Sequence, residues 1–298
     1  MSQRDVFIAL SVVLIWAINL LVQKFLVGEI SIFIVSFLRV ALVAPLIFLF
    51  PRPKIPLKHY FIAGLFWGVL YLLIFGFALK SQLGAGVASF FLQTQVFFGI
   101  LCCYLLLKEV PSLPQIFGIF LASLGISLMS LEKNIGNISP EGIVLLLGSC
   151  FCGGVGFALL KKYNIGKELK DSIWLSAVSA VPLLISCIFF EGLDETFDQL
   201  SQIQPLIWLG IIFAAYGSTF FSTYLWLGLA QRNSAAALTP FMLLLPIFSV
   251  MLSFFFMGEI PTWLQIMAGS VIIMGVMVSQ NMHLKLFRFK EPTNSPSI

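Results

Sequence analysis

Three consecutive polar residues, Gln93, Thr94 and Gln95, stand in the middle of the apolar run 85–107. Amides and hydroxyls both donate and accept hydrogen bonds, so this cluster can recognise a polar solute or tie one helix to another. On a helix the two glutamines lie about 200° apart. One is therefore expected to line a cavity and the other to bond a neighbouring helix. Asn19 and Trp16 lie three residues apart in the run 6–23 and share a face. Trp usually sits near the ends of a membrane-crossing helix, whereas Trp16 is central, so the pair reads as a cavity wall or as helix packing. Tyr216, Thr219 and Thr223 share a face of the run 205–229. Their hydroxyls can bond a zwitterion's carboxylate and ammonium, or their own helix backbone.

Trp67, Tyr71 and Phe75 recur at four-residue intervals, opposite Gly64-x-x-x-Gly68. An aromatic stripe at this spacing is more often packing than substrate lining, and the glycines allow close helix contact. Arg39 is the one ionisable residue wholly inside an apolar run. A guanidinium can hold a carboxylate, but a structural role is favoured for it, with backbone carbonyls or Glu259 as partner. Glu109, Glu259, Pro240 and Pro246 are expected at structural or gating positions, the prolines as helix kinks.

Other chemistry lacks its groups. No Asp, Glu or His stands mid-run, which weighs against a buried proton relay. An intramembrane enzyme would need a serine nucleophile with a His, or a paired Asp, and neither is present. There is no phosphate-binding loop, so no built-in ATPase is expected. Cys102, Cys103, Cys150, Cys152 and Cys187 lie in apolar runs without a C-x-x-C pair and read as small packed residues. No metal site and no cofactor are expected.

The elements that must position these residues follow from composition. The chain is 59% hydrophobic and 10% charged, with mean hydropathy +1.03. A soluble domain carries about 25% charged residues, so lipid must be the solvent. Ten apolar runs appear, near 6–23, 32–50, 59–79, 85–107, 114–131, 141–160, 173–190, 205–229, 235–257 and 262–281. Each approaches the ~20 residues that a helix needs to cross a bilayer. The first run lacks a small-residue cleavage site and is read as a span. With the N-terminus in the cytoplasm, 13 of the 17 Lys and Arg residues fall inside, three outside, and Arg39 within a span. That bias places both termini in the cytoplasm. Basic residues lie singly or in short loops, so no nucleic acid is expected as a partner. A small-molecule substrate and the lipid bilayer are, and a monomer and a homodimer are both compatible.

The chain also repeats itself. Glu109, Pro111, Gln115, Ile116 and Gly125 recur 150 positions later as Glu259, Pro261, Gln265, Ile266 and Gly275. Five spans per half is an odd number, so the halves are inverted: residues 1–137 hold spans 1–5, residues 138–284 hold spans 6–10, and 285–298 form a cytoplasmic tail. The fold class is thus an all-α integral membrane protein, ten transmembrane helices in two inverted five-helix repeats. Such repeats are an architecture of secondary transporters, with the substrate site near the midplane.

Ten spans, their five-plus-five inversion and the Glu/Gly pattern at the two span junctions together resemble the EamA family of the drug/metabolite transporter superfamily. The opening RDVFIALSVVLIWAINLLVQK, Leu38-Arg39, the RPKIPL loop, LQTQVFF in span 4 and TPFMLLLPI in span 9 resemble the members that export O-acetylserine and cysteine from bacteria. The resemblance implies a bacterial inner-membrane exporter of small neutral amino-acid-like metabolites. It also implies that span 3 lines the cavity, which adds Tyr71 to the substrate-facing set. Residues 151–160, FCGGVGFALL, depart from it, because the resemblance implies a Gly-Asn pair there. Aromatic or other bulky amino acids and drug-like metabolites are the alternative substrates.

Overall fold

A computed structural model describes residues 2–81, 85–130, 140–166, 168–232, 241–242 and 244–279. The described secondary structure is helical throughout. In chain order the long elements are α1 (Gln3–Glu29), α2 (Ile32–Leu49), α3 (Leu57–Lys80), α4 (Ala85–Leu107), α5 (Leu113–Ser130), α6 (Pro140–Tyr163), α7 (Leu169–Glu191), α8 (Pro205–Trp226), α9 (Leu244–Met257) and α10 (Trp263–Ser279). Among the described residues, α1–α4 and α6–α8 are long and apolar enough to cross a membrane, while α5, α9 and α10 contribute shorter apolar stretches. A short acidic helix, Leu193–Ser201, joins α7 to α8. The expected boundary at 137–138, the tail 285–298 and Pro240 lie outside the described residues.

The repeated motif is a repeated junction. α4 ends with Lys108 in the left-handed region (φ 60), and α9 ends with Gly258 there (φ 67). After each, a glutamate N–H reaches back six residues, Glu109 to the Cys103 carbonyl (3.5 Å) and Glu259 to the Ser253 carbonyl (3.2 Å). This wrap satisfies carbonyls that a helix end leaves free. The next helix is then capped in the same way twice. Gln115 Oε1 accepts the Ser112 N–H (2.7 Å), and Gln265 Oε1 accepts the Thr262 N–H (3.0 Å). Glu-x-Pro followed by Gln therefore specifies a stop, a turn and a restart.

Packing follows the same exchange. α1 packs on α8 and α9, and α6 on α3 and α4; α2 meets α7, α4 meets α9, and α5 meets α10. Shifting every label by five, cyclically, maps these pairs onto themselves. Two wide-turn π segments obey the same rule, Leu65–Leu70 in α3 and Phe213–Ser222 in α8. Subtracting 150 places the second over residues 63–72. The main apolar core joins the halves, bringing Leu20, Phe75, Phe91, Leu146 and Ile272 together. Large apolar side chains such as Phe7, Phe48, Phe189, Phe255 and Phe256 remain outward and exposed, as lipid-facing surfaces require.

Glycines set how closely the helices approach. A Cβ on Gly156 of α6 would meet the Trp67 backbone N at 2.9 Å, and one on Gly154 the Phe98 carbonyl carbon at 2.7 Å. The stretch 151–160 carries space in place of an amide, and α3 and α4 occupy that space. The five cysteines are buried and free.

Candidate functional site

α4 is not one continuous helix. It breaks at Gln93 and Thr94, between Ala85–Leu92 and Gln95–Leu107. Tight bonds run from the Gln93 and Thr94 N–H groups to the Phe90 and Phe91 carbonyls (3.2 and 2.8 Å). Interrupted helices expose backbone and side-chain polar groups where transporters bind solutes.

The break sends the two glutamines in different directions. Gln93 is buried and donates from Nε2 to the Met242 carbonyl (3.4 Å). The sequence near that carbonyl offers it one donor fewer. Pro246, buried in α9, has no N–H to offer the residue four before it. Gln93 and Pro246 thus act as one unit that joins α4 to α9. Gln95 is half-buried and lies over Gly153 of α6, where an added Cβ would come within 2.7 Å of its Nε2 and 3.2 Å of Tyr71 Cδ2.

Tyr71 is the hub of this region. Its ring stacks between Trp67 and Phe75, with centroids 6.2 and 5.9 Å away. The Ser149 hydroxyl donates to its carbonyl (3.2 Å). Tyr71 also packs against the apolar cluster that contains Val40, the neighbour of Arg39 in α2. Arg39 Nε donates to Thr219 Oγ1 (2.8 Å), and that hydroxyl donates to the Ala214 carbonyl (2.8 Å), five residues back within the π segment. Arg39, Thr219, Tyr71 and Gln95, from α2, α8, α3 and α4, therefore follow one another around the middle of the bundle.

Other expected site residues fall elsewhere. Tyr216 faces α2, donating to the Leu42 carbonyl (2.6 Å) where that helix changes to a tighter turn. Trp16 donates from Nε1 to the Ser218 carbonyl (3.4 Å) and packs on Trp226 at 5.4 Å. Asn19 is buried on α1, and its Oδ1 has no partner among the described residues. Thr223 is half-buried.

The expected Arg39–Glu259 partnership does not form. Glu259 stands at one end of α4, where its carboxylate accepts the Ala85 and Gly86 N–H groups (both 3.1 Å) and pairs with Lys24 (2.9 Å). Free N–H groups and the positive end of a helix dipole hold a carboxylate better than a mid-helix cation half a helix away. At the other end of α4, Glu109 pairs with Lys161 (2.6 Å). Glu109 and Glu259 are repeat equivalents, and Lys24 and Lys161 hold corresponding places near the ends of α1 and α6. Neither lysine stood out in the sequence, where each reads as a cation at the edge of an apolar run.

A separate concavity of about 500 Å³ opens at the Glu259 end of the bundle, lined by Glu29, Lys80, Glu191, Glu195 and Gln199 among others. Arg39, Tyr71, Gln95 and Thr219 are not among its lining residues. The ring is chemically distinct: one cation, one phenol, one hydroxyl and one amide, able to bind a small dipolar solute.

Comparison with known proteins agrees with this picture. The profile of the EamA-like transporter family matches twice, over residues 3–131 and 140–280. A probable amino-acid metabolite efflux pump of Salmonella typhimurium is 28% identical over 97% of both chains. A protein of the same description from Escherichia coli is 26% identical over 94% of this chain and 95% of its own. A probable terminal-alkyne amino-acid exporter of Streptantibioticus cattleyicolor is 25% identical over 65% of this chain and 63% of its own. A solved crystal structure, 17% identical, covers 96% of this chain and 99% of its own with a TM-score of 0.59, and so shares the fold. With two profile matches that together span most of its length, the chain is a multi-pass membrane protein that belongs to the EamA-like transporter family.

Proposed function

We propose that this protein is a secondary transporter of a bacterial inner membrane, built from ten transmembrane helices in two inverted five-helix repeats. Both termini lie in the cytoplasm. It exports small neutral amino-acid-like metabolites such as O-acetylserine and cysteine by alternating access, without a cofactor. One observation carries this reading: a polar ring lies mid-bundle, and repeat-related ion pairs, Lys24–Glu259 and Lys161–Glu109, lie at opposite ends of α4. An exchange of equivalent halves offers two states of similar energy, each closed at one end. The relatives' printed descriptions and the double family match support the same reading.

In this mechanism the Glu259 end opens to the outside as the Glu109 end closes. The solute meets Tyr71, Gln95 and Thr219, with Trp16 and Asn19 on the α1 side and Thr223 further along α8. The stacked Trp67–Tyr71–Phe75 stripe favours a second substrate class, aromatic or other bulky amino acids.

The test is counterflow in proteoliposomes with labelled cysteine and O-acetylserine, with and without a pH gradient. Saturable counterflow is expected, and Gln95→Ala should lose most of it while reaching the membrane normally. Gln93→Ala should instead lower stability by about 1–3 kcal/mol, because the Met242 carbonyl loses its donor. Folded protein that moves no amino acid would overturn the exporter reading.

A further inference from the structure

We infer that Arg39 is the carboxylate anchor of the transport site, so that a free α-carboxylate is what the protein demands of its substrates. The inference rests on the exporter reading above and specifies the substrate's recognised group.

The argument starts from an incomplete ion. Arg39 sits in the Ile32–Ala41 segment of α2, in the middle of an apolar run, and its side chain is half-buried. A guanidinium has five N–H donors. Among the described residues one is used, Nε to Thr219 Oγ1 at 2.8 Å. The ion pairs among those residues are Lys24–Glu259, Lys161–Glu109 and Lys170–Glu168, and none includes Arg39. The two glutamates that might have served it are held at opposite ends of α4 by lysines.

A buried cation without an anion is costly, and intramembrane charges are found paired or facing a water-filled path. Thr219 holds Nε, which fixes the plane of the guanidinium, and neither terminal nitrogen has a partner among the described residues. Two parallel N–H groups match the two oxygens of a carboxylate. The neighbouring groups complete a site for a zwitterion. Tyr71 packs against the cluster that holds Val40, the neighbour of Arg39 in α2, and Gln95 lies near Tyr71 across the space that Gly153 leaves. A phenol oxygen and an amide oxygen both accept, so they suit an α-ammonium. The bound solute then cancels the charge that the empty site leaves exposed, without a buried acid in the protein.

The test pairs a change in the ligand with a change in the protein. Counterflow of labelled L-cysteine is measured in proteoliposomes against unlabelled L-cysteine, L-cysteinamide and cysteamine. Wild-type protein should favour the acid over the amide by about 10- to 100-fold, as expected for loss of a charge-assisted pair. In Arg39→Gln that preference should fall to about threefold or less, whereas Arg39→Lys should keep part of it. The apparent KM for cysteine should rise in Arg39→Gln more than the maximal rate falls. A wild type that does not distinguish acid from amide would overturn the inference, as would an Arg39→Gln protein that still does. An activity that depends on chloride through Arg39, with no acid preference, would also overturn it. If Arg39→Gln fails to reach the membrane, the wild-type analogue series and Arg39→Lys decide the matter alone. Absence of counterflow for every amino acid would sink the exporter reading itself, a different result from transport without acid selection.

Discussion

At the scale of single residues, adjacent glycines in α6 have different tasks. Gly153 faces the flexible end of Gln95, and Gly154 faces the backbone at Phe98. A methyl group at 153 can be accommodated if Gln95 swings away, which removes an amide from the polar ring. A methyl at 154 meets a carbonyl carbon that cannot move alone. Gly153→Ala should therefore raise the KM for counterflow several-fold with little change in melting temperature. Gly154→Ala should lower stability by about 1–3 kcal/mol, the usual cost of overpacking, read as a lower melting temperature in detergent. The reverse pattern would mean that Gly153 supports the fold and Gly154 the site.

At the scale of elements, α4 couples the centre to both ends. Its break places Gln95 in the ring, and its two ends sit at the two glutamates. The end pairs are unequal. Glu259 combines Lys24 with two backbone N–H groups and is about one-quarter exposed, whereas the Lys161–Glu109 pair is about half exposed. Exposed pairs contribute about 0–1 kcal/mol, and a carboxylate bonded to helix N–H groups contributes about 1.5–3 kcal/mol per bond. Glu259→Ala should accordingly shift the resting population towards opening at that end far more than Glu109→Ala does at the other. Single cysteines placed beside the ring, in a cysteine-free background, would report this through their labelling rates from each side. Equal shifts in the two variants would remove the asymmetry from the mechanism.

At the scale of the whole molecule, exchange of halves organises the packing. Helix pairs, π segments and ion pairs all recur under it, so inversion predicts that equivalent sites face opposite compartments. Reporters fused after residue 108 and after residue 258 should therefore read cytoplasmic and external respectively, and a reporter at 52–54 should read cytoplasmic. The same compartment for 108 and 258 would contradict inversion. The Lys and Arg distribution agrees with this expectation, because the loops it places inside hold most of the cations.

Much of this was written in the chain. Low charge and repeated apolar runs dictate helices in lipid, since no other open structure satisfies its backbone there. The 150-residue offset names the junctions, and the local chemistry of Glu, Pro and Gln explains why they recur. The polarity of Gln93, Thr94 and Gln95 marks the place where α4 is interrupted, and the 200° between the two glutamines matches their different faces. What side chains meet across helices was not legible, because periodicity gives a face and not the neighbour opposite it. Tyr216 bonds the Leu42 carbonyl of α2, and Glu259 pairs with Lys24 and not with Arg39. Those outcomes follow from where the Leu42 carbonyl and the first N–H groups of α4 lie, and only the assembled bundle fixes that. The sequence alone therefore determined a membrane helix bundle with an internal duplication, and the tertiary structure decided that Arg39, Thr219, Tyr71 and Gln95 form its centre, because four separate helices must converge before their polar ends can meet.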